Sequence, residues 1–208
     1  MRTTIWLARA GQSLLNKQRR FMGQSDSPLT AYGELQAEAL VVGLRRQRLT
    51  QVYSAPQSAI LKSATVIATA RGGDVVMVPA WADQAMGAWQ ELTWREASQQ
   101  FPRDSAARLR DPLQVPPPGG ESLAQVAARV VAAWQELLHV AAGERVVVVT
   151  QALPIQIVLC YLLQQPLTNH WMWRIEHGSL TGIDLYNGTP IVRCVNDVPP
   201  VMVSPTGR

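Results

Sequence analysis

Cysteine, lysine and histidine are all scarce in this 208-residue chain: two cysteines, three histidines, and Lys17 and Lys62 as the only lysines among 19 basic residues. Two isolated cysteines, Cys160 and Cys194, exclude a disulfide framework, and Cys160 sits in an apolar run where a thiol packs as a small core residue. No HxxxH or CxxC spacing occurs, so no metal site and no cofactor is expected. Runs of like charge are also missing. The net charge of +4 is spread over scattered arginines, and the densest group, Arg45, Arg46 and Arg48, ends a predicted helix. A nucleic-acid surface needs a basic stripe, so none is expected. The longest apolar stretch, Val146 to Leu163, is broken by Thr150, Gln151, Pro154 and Gln156 and reads as a strand followed by a helix, not a membrane span. Ile5–Ala8 is too short for the apolar core of a signal peptide, which leaves a soluble, cytoplasmic protein as the expectation.

What is present suits one globular α/β domain over 1–208: 47% hydrophobic and 16% charged residues, enough apolar material for a full core. Thr3–Ala8 is a short apolar, partly β-branched strand, followed by a polar loop from Gly11 to Leu29. Thr30 is placed to N-cap a helix to about Arg46, with Leu35, Ala39, Leu40 and Val42 on its buried side. Gln51–Ser54 is a second strand, Pro56 opens a helix to about Ala70, Gly72-Gly73 ends it, and Asp74–Val78 is a third strand. Trp81 to Pro118 reads as irregular, with a short helix at Trp94–Gln100; such long loops serve sites or partners. Ser122 caps a helix to about Ala141, the Val run at Arg145–Val149 is a doubly buried strand, and Pro154 lies in the first turn of the next helix. Asn187-Gly188 joins Ser179–Tyr186 to Pro190–Val195 as a hairpin. Strands alternating with helices predict a three-layer α/β/α sandwich with a mostly parallel central sheet.

The chemistry-bearing blocks come in a recognisable order. Leu7 to Ser13 reads LARAGQS; Asn16, Arg20 and Gly23 follow, then Asp26-Ser27-Pro28-Leu29-Thr30, Gly33, Gln36 and Ala37. Later come Tyr53-Ser54-Ala55-Pro56, Gly87-Ala88-Trp89, and Pro118-Gly119-Gly120-Glu121-Ser122 with Val126 and Arg129. This series closely resembles the histidine phosphatase superfamily, the phosphoglycerate mutase-like proteins, whose blocks read RHGQT, DxPLTxxGxxQA, YSSP, GxWEG and PGGES. The resemblance runs along nearly the whole chain. It implies a site in which one histidine attacks phosphorus, two arginines and a second histidine hold the phosphoryl oxygens, and a carboxylic acid protonates the leaving group.

Matched to that pattern, Ala10 stands at the nucleophile, Gln151 at the second histidine, Ala59 at the second arginine, and Asp83 where the acid is expected to be Glu. Arg9, Asn16 and Arg20 are retained, so Arg9, Asn16, Arg20 and Gln151 are the expected ligand-binding set. An alanine methyl cannot attack phosphorus, and Ser13 nearby has no activating base in reach of the pattern. Loss of two cationic donors weakens phosphate binding by about 3–6 kcal/mol, on the order of a hundredfold to ten-thousandfold. His139 reads as a helix-end residue and His177 as a turn residue beside Gly178-Ser179; His170 matches no block.

These departures lead to the expectation of a catalytically inactive member serving as a binding, regulatory or structural subunit. It would have a protein partner, at most weak affinity for phosphate or another anion, and room for a homo-oligomer. Trp81 and Trp94 are the expected interface residues, and Trp171 and Trp173 would share one face if that stretch is extended. Two alternatives compete: an active phosphatase or mutase, engineered at the nucleophile or running on altered residues, and an anion-binding sensor. The pocket itself is expected to gather Arg9, Asn16, Ala59, Asp83 and Gln151 at the C-terminal ends of the central strands.

Overall fold

A computed structural model describes residues 2–202; residue 1 and residues 203–208 of the expected domain lie outside the described residues. Strands β1 (Arg2–Arg9), β2 (Gln51–Ser54), β3 (Val75–Met77), β4 (Arg145–Thr150), β5 (Leu180–Tyr186) and β6 (Thr189–Asp197) form one sheet in the order β3-β2-β4-β1-β5-β6. β3, β2, β4 and β1 run parallel; β5 and β6 complete the sheet antiparallel. The valines of β4 are buried throughout because the strand lies between β2 and β1 with both faces covered. The β5–β6 turn places both Asn187 and Gly188 at positive φ, the backbone that a two-residue hairpin needs to match strand twist.

Helices α1 (Leu14–Lys17), α2 (Ala31–Leu44), α3 (Ser58–Thr69), α4 (Trp94–Gln100), α5 (Pro102–Arg110), α6 (Leu123–Val140) and α7 (Ala152–Leu162) supply the outer layers. α2 packs with α3 and α6 with α7, flanking the sheet in a three-layer α/β fold. Thr30 and Ser122 cap α2 and α6 through side-chain acceptors, as their sequence context requires. The core is one cluster centred on β1, β4 and α7, with a small satellite of Met86, Trp89 and Ala97 beside the cleft described below.

Four local expectations need correction. The loop after β1 contains α1, one helical turn closed by a reciprocal Ser13–Asn16 capping box. α3 begins at Ser58, not Pro56; its first free amide is capped from a distance by Asp26, whose carboxylate accepts from the Ser58 N–H at 2.8 Å. The segment read as irregular holds α5, which has Pro102 at its start, Asp104 in its first turn, and Arg108 and Arg110 in its last. Leu167–Met172 is 3-10 helix, so Trp171 and Trp173 do not share an extended face: Trp171 is exposed and Trp173 is half-buried against the core.

Candidate active site

β1 and β4 carry the site because they are adjacent and parallel. Arg9 pairs in register with Thr150, and the Ala10 N–H donates to the Thr150 carbonyl at 3.0 Å, so the two chain segments leave the sheet side by side. Beyond these strand ends lies a cleft of about 340 Å³ lined by Arg9, Asn16, Arg20, Asp83, Arg108 and Gln151, with Phe21, Met22, Met86 and Trp94 along its apolar part. Arg9, Asn16, Arg20, Asp83 and Gln151, far apart in sequence, are thus brought to one cavity. Ala59 and Ala10 do not line it: Ala59 is 1% exposed on the inner side of α3, and Ala10 is 0% exposed in the core.

Close backbone contact builds the loops around the cleft. A Cβ on Gly33 would lie 2.1 Å from the Gln12 carbonyl oxygen, and a Cβ on Gly87 would lie 2.2 Å from that of Pro118. Only glycine allows the first loop to press onto α2, or the two later glycine blocks onto each other. Arg129 then fixes the segment that carries Asp83. It forms a fork with Glu121 (Nε–Oε1 and Nη2–Oε2, both 2.8 Å) and donates to the carbonyls of Ala80, Ala82 and Asp83 at 2.9, 2.7 and 2.8 Å. Glu121 in turn accepts from the Ala85 N–H at 2.8 Å.

The charges differ in availability. Arg9 is largely buried; its Nη1 donates to the Ile175 carbonyl at 2.6 Å and its Nη2 to His177 Nε2 at 2.9 Å, while its Nε has no partner. Burial pulls the Arg9 pKa down to about 10, opposed by Asp83 and Glu176, so it stays cationic at neutral pH. An arginine can only donate, so Nε2 of His177 is its bare nitrogen. Burial first, and then the Arg9 charge, hold the His177 pKa down at about 4 and keep the ring neutral. The half-buried Asp83 is pushed up to about 6 by burial, against the pull of the Gln84 N–H, Arg9 and Arg129. A carboxyl in that range can exchange a proton near neutral pH.

Other expected ligands are already engaged. Arg20 pairs with Glu96 at 2.6 and 3.2 Å and donates to the Glu91 carbonyl, and Asn16 accepts from the Ser13 backbone and hydroxyl. Gln151, buried at the start of α7, makes one weak contact, from Nε2 to Met22 Sδ at 3.8 Å. Of the two interface candidates, Trp81 is 1% exposed in the core and presents no surface. Trp94 is 42% exposed but faces the cleft, set edge-on to Trp89 and Phe21. Sequence reasoning missed Arg108, which enters the cleft from α5 and donates to Gln84 Oε1 and to the Val115 carbonyl. Its helix carries the usual signals, with proline and acid at the start and base at the end. It also missed His177 as the partner of Arg9. Among the described residues, no group of three or more His, Cys, Asp or Glu is placed to hold a metal ion, and no helix is long and apolar enough to cross a membrane.

Residues 5–198 match the family model of the histidine phosphatase superfamily, branch 1, and the chain belongs to that family. Among its relatives is phosphoserine phosphatase 1 of Hydrogenobacter thermophilus, 28% identical over 190 residues, which are 91% of this chain and 90% of that protein. A Yersinia enterocolitica protein named probable phosphoglycerate mutase GpmB is 30% identical over 196 residues, 89% of this chain and 86% of that one. The crystal structure of the alpha-ribazole phosphatase from Shigella flexneri has the same fold, with a TM-score of 0.87 at 22% identity over 98% of this chain and 100% of that one. These names overturn the expectation of an inactive subunit: the relatives that this chain matches over nearly its whole length are named as a phosphatase and a mutase. They point to an enzyme.

Proposed function

We propose that this protein is a phosphomonoester phosphatase in which Arg9 anchors the phosphoryl group and Asp83 carries the proton. One observation supports this most directly: a largely buried arginine with an unpartnered Nε shares a cleft with a carboxyl whose pKa is raised to about 6. A phosphoryl dianion supplies the counter-charge for that guanidinium, and Arg9 and Arg108 against Asp83, with Arg20 paired to Glu96, leave the cleft net positive.

Ala10 decides the route. A mutase must hold the phosphoryl group on the protein and hand it back, and the alanine has no atom to hold it. Transfer is therefore direct to water: the water oxygen bonds to phosphorus as the ester P–O bond breaks. Protonated Asp83 donates to the leaving oxygen, and a proton of the attacking water restores it. Proton transfer of this kind contributes roughly 10²–10⁴ in rate. The same reading sets the protein in the cytoplasm, where its two free cysteines suit a reducing compartment.

The test is release of inorganic phosphate from p-nitrophenyl phosphate, phosphoserine and 3-phosphoglycerate, with pH varied on both sides of about 6. The expected rate falls as pH rises through that value, because ionised Asp83 has no proton to give. Asp83→Asn is expected to abolish release and Asp83→Glu to keep part of it. No release above a buffer blank at any pH, or full activity in Asp83→Asn, overturns the proposal.

A further inference from the structure

We infer that Trp94 and Phe21 make the cleft selective for phosphomonoesters whose leaving group is a flat aromatic ring; this rests on the phosphatase reading above and specifies its substrate class.

The cleft has two unlike ends. Arg9 and Gln151 lie deep, at the ends of β1 and β4, whereas Trp94 is 42% exposed and lines the same cavity with the half-buried Phe21. A phosphoryl group held at the deep end directs its ester oxygen, and whatever that oxygen carries, toward the aromatic end. A tryptophan that exposes this much of its surface within a pocket offers apolar area that a ring covers well.

The aromatic wall is preformed. Trp94 meets Trp89 edge-on with ring centroids 5.8 Å apart, and Phe21 edge-on at 6.4 Å; Phe21 stacks on Trp89 at 6.1 Å. Trp89 is fully buried and anchors the trio. The backbone is held as tightly: Thr93 and Glu96 close a reciprocal capping box around Trp94, Glu96 pairs with Arg20, and Arg20 forms a backbone bridge with Thr93. A platform that does not need to be ordered on binding loses little entropy to its ligand.

Charge argues against a small zwitterionic ester. An ammonium group in this cleft would meet Arg9 and Arg108, while Glu96 is taken up by Arg20 and Asp83 is protonated for catalysis. A flat neutral ring has no such conflict and can also stack on arginine planes.

Non-hydrolysable phosphonates separate this inference from the catalytic one. The full-length protein is titrated calorimetrically with benzylphosphonate, ethylphosphonate and phosphonoacetate. Benzylphosphonate is expected to bind at least about tenfold tighter than ethylphosphonate, about 1.4 kcal/mol. Trp94→Ala is expected to erase that ratio, and Trp94→Phe, which keeps a ring and guards against a folding defect, to preserve most of it. Equal affinity for the two, tighter binding of phosphonoacetate, or an unchanged ratio in Trp94→Ala overturns the ring inference and leaves the phosphatase reading standing. Failure of all three phosphonates to bind overturns both.

Discussion

Removing Arg129 isolates how the Asp83 segment is held. Its guanidinium makes five hydrogen bonds, two to Glu121 and three to the carbonyls of Ala80, Ala82 and Asp83. Each bond involving a charged group contributes about 1.5–3 kcal/mol, but the five act as one unit and cannot be added. The Arg129 and Glu121 side chains are 22% and 24% exposed, so water recovers part of the loss. Arg129→Ala is therefore expected to destabilise the fold by about 2–4 kcal/mol. For a chain of this size that lowers Tm by roughly 5–15 °C. Arg129→Lys keeps the charge but not the fork and is expected to recover less than half of the loss. Phosphatase activity is expected to fall further than phosphonate affinity, because Asp83 loses its support while Arg9 keeps its own partners. Thermal melts by circular dichroism read the first effect, and calorimetry with turnover reads the second. A Tm change under about 2 °C would show that the carbonyls and Glu121 find equal partners without the arginine, and the reasoning fails.

Asp83→Asn is expected to trade activity for stability. The folded carboxyl titrates at about 6 against an ordinary 3.8, so the fold favours the neutral form and loses stability as pH rises between those values. The substitution is thus expected to raise Tm above pH 6 by the equivalent of about 1–2 kcal/mol, discounted because the carboxyl is only half-buried, and to change little below pH 4; a gain that is equal at both ends contradicts the cause. Gly33→Ala drives a methyl into the Gln12 carbonyl and is expected to cost about 3 kcal/mol or more, whereas Gly72→Ala meets open space and costs only the strain of its positive φ, about 1 kcal/mol; similar denaturation midpoints for the two would refute this. His177→Ala takes the acceptor from Arg9 Nη2, and phosphate affinity is expected to fall several-fold, with His177→Gln closer to wild type; an affinity unchanged in both variants would show that Arg9 is positioned without it.

Much of this protein was decided within short stretches of sequence. Thr30 and Ser122 cap their helices with their own side chains, the valines of β4 need two covered faces, and Asn187-Gly188 accepts the two positive φ values of a tight hairpin. These outcomes depend on neighbours a few residues away, so periodicity and turn chemistry are enough to read them, and the order of the blocks was enough for the family. The state of the site was not local. Whether Arg20 is free for a ligand depends on Glu96, 76 residues later, and whether Arg9 is oriented depends on His177, 168 residues away. Trp81 and Trp94 look alike in sequence, yet one closes the core and the other lines the cleft, because only the packed chain determines which side faces solvent. The proton affinity of Asp83 comes from burial and from charges on three other segments, a quantity that does not exist until the fold has brought them together.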